Sequence, residues 1–432
     1  MSRLLIENFS CFESAEFELA PLTVLIGPQG SGKSVTIKLN YFFQDIIHQQ
    51  YSSAERGLDI EDFKRETARH FKTWFPSSAW GERRSNINFT LGPITVRVLR
   101  RTSKGGVVED IAVTFSKYFT DQYRQLVEEF ENERKAAEKR ESPRYRLGPI
   151  AYIVRERWEK KLKSDVGSEF VTSQIFIPAG RASFTSIGRL LAVFEQGGSV
   201  DPATTAFAKL FANFRDLAPR RMNFRRPGEE REDYRARQKM ISRLVGGELK
   251  FEDELEVVET KDGRKIPFTA LSSGQQELLP ICMLIDFMGD YRVDNDGGSE
   301  ILYVEEPEAH LFPTAQSELM DFLVEFALKS NRYGNLVLTT HSPYILSKIN
   351  TYLKAGSLGR NRRRSTQVAG VVPQSRWLSP GSIKAYAIRE GTLVSLMNED
   401  SLIDARYIDS VSEQVADTFD RLLDIEFPDA AR

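Results

Sequence analysis

Residues Leu22–Ser34 read LTVLIGPQGSGKS, which runs from an apolar strand through a glycine loop into a helix. "LTVLIG" has strand length and ends in glycine, and "SVTIKLNYFFQDII", from Ser34 onward, carries apolar residues at helical spacing. Between them Gly27–Ser34, GPQGSGKS, fits G-x-x-x-x-G-K-[ST] where that pattern has chemical meaning, after a strand and opening a helix. A loop of Gly27, Pro28, Gln29, Gly30, Ser31 and Gly32 can curl its backbone N–H groups around phosphates, and the helix N-terminus adds positive potential. Lys33 would reach the β- and γ-phosphates, and Ser34 can ligate Mg²⁺.

A second stretch, ILYVEEPEAHLF at Ile301–Phe312, sets three carboxylates against a strand that reads as buried on both faces. It has a plain structural account, with Pro307 as a first helical residue and acids favouring the helix dipole. Beside a phosphate loop the functional account is stronger. A strand ending in consecutive acids supplies a carboxylate for Mg²⁺ and another to orient an attacking water.

Two further segments fit the same site. "LSSGQQE", Leu271–Glu277, has capping-box spacing between Ser273 and Gln276, and is equally a helix N-terminus able to face an anion. His341 follows the strand "NLVLTT" and could donate to a phosphate oxygen from a strand C-terminus.

The wider composition narrows the alternatives. The 432 residues are 41% hydrophobic and 28% charged with a net charge of −2, an ordinary globular balance that leaves nucleic-acid binding to a local patch. Cys11 and Cys282 lack metal-ligand spacing, so neither a disulfide framework nor a zinc site is expected. No apolar run approaches membrane-spanning length and the N-terminus has a strand pattern, so a cytoplasmic location is expected.

The chain divides, on pattern, into four parts. Residues 1–116 hold paired strands, the glycine loop and an antiparallel meander. Residues 117–250 are mainly helical and charged, with one returning strand in "SQIFIPAGRASF", and read as an insertion projecting from the sheet. Residues 251–350 contain a hairpin turning at Asp262-Gly263, then alternating strands and helices, the mark of a parallel α/β sheet. Residues 351–432 form a tail with a Gly/Arg-rich loop, a short β stretch and an acidic helix.

Taken together and in this order, the four motifs resemble the ATP-binding-cassette class of ATPase heads, of the SMC, RecF and OLD branch. The resemblance covers roughly residues 1–50 and 250–350 and implies an α/β head: a mostly parallel P-loop core sheet, an N-terminal antiparallel β lobe and an inserted helical subdomain. It makes Gly27–Ser34 the Walker A loop, Ser272, Ser273, Gly274 and Gln275 the signature motif acting on a nucleotide held by a second head, and ILYVEE the Walker B strand. Glu305 and Ser34 would hold the metal, Glu306 would polarise water and His341 would sense the γ-phosphate, with ATP and Mg²⁺ as cofactors. Glu308 would serve mainly the interface between heads.

Glu305 stands where most cassettes have Asp, and Ser273 where transporters have Gly. Both variants are similar to stand-alone bacterial AAA-type ATPases, including the ATPase subunits of the anti-phage systems Septu and PARIS. This implies a nucleotide-gated sensor or scaffold that dimerises head to head or forms a larger oligomer and controls a separate effector, a nuclease or toxin. "FIPAGR" resembles a segment of these ATPases and makes Arg181 a candidate phosphate-side arginine; a surface arginine after a strand is the alternative. The position of the Q-loop glutamine stays open, since Gln44 lies inside the first helix, too early for it. The residues after His341 contain no D-x-D pair, so nuclease activity is not expected in this chain.

The alternative is a RecF- or SMC-like protein that binds DNA when ATP closes the dimer. Between Leu217 and Gly247 nine Lys/Arg face four acids, and Arg220, Arg221, Arg225 and Arg226 with Arg362 and Arg363 are candidate contacts for DNA or a partner protein. The charged helical segment is too short for an SMC coiled coil.

Overall fold

The computed structural model describes residues 2–103, 106–138, 148–185, 200–221, 231–252, 255–287, 299–328, 334–404 and 406–426. Arg225 and Arg226 lie outside them. The strands are β1 Arg3–Phe9, β2 Phe12–Glu18, β3 Leu22–Ile26, β4 Asn86–Leu91, β5 Ile94–Ser103, β6 Gly106–Phe115, β7 Val171–Ile177, β8 Glu248–Glu252, β9 Leu255–Glu259, β10 Lys265–Pro267, β11 Ser299–Glu305, β12 Asn335–Thr340, β13 Ile383–Arg389 and β14 Thr392–Ser395. The helices are α1 Lys33–Glu55, α2 Ile60–Trp74, α3 Lys117–Glu138, α4 Gly148–Val166, α5 Pro202–Arg221, α6 Arg231–Val245, α7 Ser273–Phe287, α8 Pro313–Phe322, α9 Pro343–Gly359, α10 Arg362–Ala369 and α11 Arg406–Glu426.

Eleven strands form one mixed sheet in the order β6-β5-β4-β1-β2-β14-β13-β3-β12-β11-β7. From β13 to β7 every pairing is parallel, while β6 to β2 are antiparallel. The antiparallel strands are therefore one wing of the sheet that carries the glycine loop. The β13–β14 hairpin of the tail joins the two halves, β13 lying beside β3 and β14 touching β2.

Parallel strands covered on both faces explain the unbroken apolar runs. Alternate residues sort to opposite sides: Val24, Leu302, Val304, Leu336 and Leu338 pack toward α7, α8 and α9. Leu25, Ile301, Tyr303 and Val337 pack toward α1. Each such side chain taken fully out of water contributes about 1.5–3 kcal/mol.

The charged helices α3 and α4 do not project. Phe119, Tyr123, Leu126 and Phe130 of α3, and Val154, Trp158 and Leu162 of α4, are buried in the core that α1 shares. Their charged residues are only the outer halves of amphipathic helices. Asp262-Gly263 does turn the β9–β10 hairpin, and β8 extends it to a three-stranded sheet. The Gly/Arg-rich segment is helical rather than a loop: the Asn361 side chain accepts the Arg363 N–H at 3.0 Å and caps α10, with Arg362 and Arg363 exposed. No helix among the described residues is long and apolar enough to cross a membrane.

Candidate functional site

Neighbouring strands β3, β12, β11 and β7 run parallel, so their C-terminal ends and the loops that follow lie along one edge of the sheet. Ligands of open α/β sheets bind at that edge. Those loops bring together Gly27–Ser34, His341, Glu305 with Glu306, and Pro178–Arg181.

The glycine loop is shaped by two left-handed residues, Gly30 at φ 74° and Gly32 at φ 112°. A Cβ on Gly32 would lie 2.4 Å from Cys11 Sγ and 2.7 Å from the Phe12 ring, so both backbone angle and space demand glycine. Lys33 Nζ donates to the Gly27 and Pro28 carbonyls at 2.8 and 2.9 Å, closing the loop on itself. Burial pushes the Lys33 ammonium down, and the charges of Glu306, Glu308 and Glu305 pull it back up. The lysine and the three acids thus share one electrostatic site. Ser34 is exposed at the head of α1.

Glu305 ends β11 almost fully buried. Its Oε2 accepts the Ala179 N–H at 3.3 Å, and its Oε1 is buried without a hydrogen-bond partner. Glu306 leaves the strand in the left-handed region at φ 42°, where a non-glycine residue is strained. Its N–H donates to the carbonyl and hydroxyl oxygens of Thr339 at 3.0 and 3.2 Å, which ties it to β12. The carboxylate then meets its neighbour from that strand: His341 Nε2 lies 3.1 Å from Glu306 Oε1, both side chains about one-third exposed.

Pro307 does not start a helix. Residues 307–310 form a turn in which the Ala309 N–H donates to the Glu306 carbonyl, and α8 begins only at Pro313. Glu308 turns back into its own chain, its Oε1 accepting the His341 N–H at 2.6 Å and the Thr340 hydroxyl at 2.7 Å. Burial raises its pKa despite those bonds.

The signature segment caps α7 one residue earlier than its spacing suggests. Gln275 Oε1 accepts the Ser272 N–H and hydroxyl at 3.0 and 2.9 Å, and the Gln275 N–H donates to Ser272 Oγ, so the reciprocal pair is Ser272–Gln275 and not Ser273–Gln276. Gln275 Nε2 also donates to the Val245 carbonyl at 2.8 Å. Gly274 lies on the turn after β11, where a Cβ would come within 2.8 Å of the His310 carbonyl. Ser272 and Ser273 are exposed, and among the described residues no hydrogen bond joins Ser272–Gln275 to Gly27–Ser34.

Arg181 fits neither of its sequence readings. It is 0% exposed, and its guanidinium is spent on the Pro178, Glu305, Glu306 and Glu277 carbonyls and the Glu277 carboxylate, not on open space where a phosphate would sit. Glu277, missed in the sequence, was legible as an acid whose neighbours Leu278, Leu279 and Ile281 are all core residues. Gln44 is buried in α1 and donates to Ser2 Oγ, remote from any Q-loop role. Arg237, counted from sequence in the basic patch, is buried and paired with Asp286 at 2.7 Å. Arg220 and Arg221 fall at the end of α5.

A phosphate loop on one parallel strand, facing acids and a histidine delivered by the next two, defines the P-loop ATPase fold. The chain belongs to the family described as "AAA domain, putative AbiEii toxin, Type IV TA system", whose model matches residues 22–347. Comparison with curated proteins gives no match. Among solved structures, an SMC head bound to the C-winged helix domain of ScpA is 12% identical at a TM-score of 0.39, over 92% of this chain and 98% of that one. The SMC head domain from Thermotoga maritima is 12% identical at 0.35, over 91% and 97%. A nucleotide-free ATP-binding cassette from an ABC transporter is 11% identical at 0.30, over 93% of each.

Proposed function

We propose that this chain is an ABC-type ATPase head that binds MgATP, closes against a second copy, and uses hydrolysis to hold or release a separate effector in anti-phage defence. The observation that carries the reading is the convergence of Glu306 and His341, 3.1 Å apart, on the sheet edge whose phosphate loop holds Lys33. Glu306 would accept the proton of an attacking water, and His341, held against it, would sense the γ-phosphate. Lys33 would exchange the Gly27 and Pro28 carbonyls for phosphate oxygens. Mg²⁺ fits the donor set: Glu305 presents a buried oxygen without a partner, and Ser34 a hydroxyl at the helix start. When bound, the ion would neutralise charge on the β- and γ-phosphates.

The head-to-head part is supported by what the site leaves open. Ser272 and Ser273 face outward, and two large apolar side chains next to the catalytic loops, Phe312 and Tyr344, are 74% and 54% exposed. A second copy would cover them and bring its signature to the nucleotide. A separate effector needs a docking surface of its own. Helix α11 leaves Val415, Phe419, Leu422 and Ile425 exposed, an apolar stripe for such a partner. The test is Glu306→Gln: ATP binding retained, turnover lost, and an ATP-dependent dimer trapped on a sizing column. Turnover at the wild-type rate would remove Glu306 from this role.

A second reading, ATP-dependent DNA binding, is favoured by one feature. An open groove of about 990 Å³ between α6 and the β8–β10 sheet is lined by Arg235, Lys239, Arg243, Lys250, Lys261 and Arg264, against Glu248 and Asp262. It predicts duplex binding that needs ATP and weakens steeply with salt. Binding that ignores salt, or no binding, would dismiss it.

A further inference from the structure

Arg181 and Glu277 form a buried ion pair, Nε to Oε2 3.2 Å, with side chains 0% and 2% exposed. Glu277 sits one turn into α7, below the outward-facing Ser272 and Ser273. Its carboxylate also accepts the backbone N–H of Arg181 at 3.1 Å and of Ala182 at 3.2 Å. On its other side the same guanidinium donates to the Glu305 carbonyl at 2.6 Å and the Glu306 carbonyl at 3.0 Å. The loop that bears Arg181 holds Glu305 as well, through the Ala179 N–H. One planar group therefore joins the start of α7 to both acids at the end of β11.

Glu306 needs such a restraint. Its left-handed backbone is held at the N–H by Thr339 and at the carbonyl by Arg181 together with the Ala309 N–H, and these contacts fix the backbone from which its carboxylate projects. We infer that Arg181 and Glu277 are positioning residues that couple the signature end of α7 to Glu306, so that docking of Ser272 and Ser273 on another head's nucleotide sets the hydrolytic geometry of this head. The inference rests on the ATPase reading above. Arginine is required because its planar fork donates to four carbonyls at once while its charge faces the Glu277 carboxylate; lysine carries the charge but not the fork.

A merely structural ion pair would behave differently, and three variants separate the two. Arg181→Lys keeps the buried charge balanced. It should fold and bind a fluorescent ATP analogue normally, with kcat lowered roughly 10- to 100-fold and KM nearly unchanged, as expected for a misplaced catalytic group. Arg181→Met alone leaves Glu277 buried and unpaired and should melt lower, while Arg181→Met with Glu277→Met removes both charges and should recover most of the melting temperature. That recovery should not restore turnover. In the Arg181→Lys background the fold-loss of kcat on Ser272→Ala should be smaller than in wild type, because only the direct contact with the other head's nucleotide, and not the link, remains to be lost. Wild-type kcat in Arg181→Lys, or in a double Met variant that folds, would overturn the inference, and so would additive effects of Arg181→Lys and Ser272→Ala. Wild-type chain and Glu306→Gln run in the same assay: absence of turnover in wild type would instead count against the ATPase reading.

Discussion

Glu308 Oε1 accepts the backbone N–H of His341 at 2.6 Å, so the acid three residues beyond the end of β11 fixes the loop that follows β12. The third carboxylate of ILYVEEPEAHLF, expected at an interface between heads, holds together two loops of one head. Glu308→Ala should therefore free His341 and lower kcat by roughly tenfold or more with KM little changed. Glu308→Gln keeps an acceptor oxygen and should retain most activity. Steady-state kinetics check both, and an active Ala variant would refute the tie.

The same residue has a pH signature. Burial raises the Glu308 pKa, so the folded chain holds this proton more tightly than the unfolded chain does. Stability from that source is present at acid pH and lost as pH climbs from the ordinary carboxylate value, about 4.3, through the raised one. Glu308→Gln has no proton to lose. Its melting temperature relative to wild type should rise across that window and level off above it, whereas parallel curves would argue against the shift.

Gly32→Ala meets two obstacles at once, a left-handed φ of 112° and a Cβ 2.4 Å from Cys11 Sγ. Left-handed backbone alone costs roughly 1–2 kcal/mol for a residue with a Cβ. Calorimetry should show at least that loss, and titration with an ATP analogue should show weakened binding. Gly30→Ala has the strained φ but nothing within 4 Å, and should be milder.

Phe312→Glu and Tyr344→Glu place charge on the exposed apolar pair at the starts of α8 and α9, which follow β11 and β12. Each should leave the melting temperature of the isolated chain unchanged to within about 2 °C. Each should abolish the ATP-dependent dimer of the Glu306→Gln background. Dimerisation that survives both would place the interface elsewhere.

Truncation separates the two parts of the tail. Ending the chain after residue 404 removes α11, whose described side chains are exposed, and should leave folding and ATP binding intact. Ending it after residue 377 removes β13 from beside β3 and strips cover from the phosphate-loop strand. That shorter chain should be insoluble or unfolded by circular dichroism.

The difference between those truncations also marks what a linear reading reaches. Local pattern is enough for β3, the glycine loop and α1, because strand, turn and helix there depend on residues within one short segment. The strand ILYVE and the histidine after NLVLTT were legible for the same reason. "IKAYAIREGTLVSL" was equally legible as β structure, yet nothing in it says that β13 pairs with β3; that depends on which strand edge remains open after β12 has taken the other side. Pro307 shows local propensity yielding to tertiary contact: a helix start there would forfeit the bonds from Glu306 to Thr339 and from Glu308 to His341.

By itself the sequence determined the glycine loop, the acids and histidine at strand ends, and the parallel α/β core, since each is written as a spacing of glycine, apolar or charged residues over a few positions. Tertiary structure alone decided the partners of the charges. Whether Arg181 meets solvent, a phosphate or the Glu305 and Glu306 carbonyls depends on burial, and a buried guanidinium must spend its donors on whatever oxygens the packed elements bring within reach.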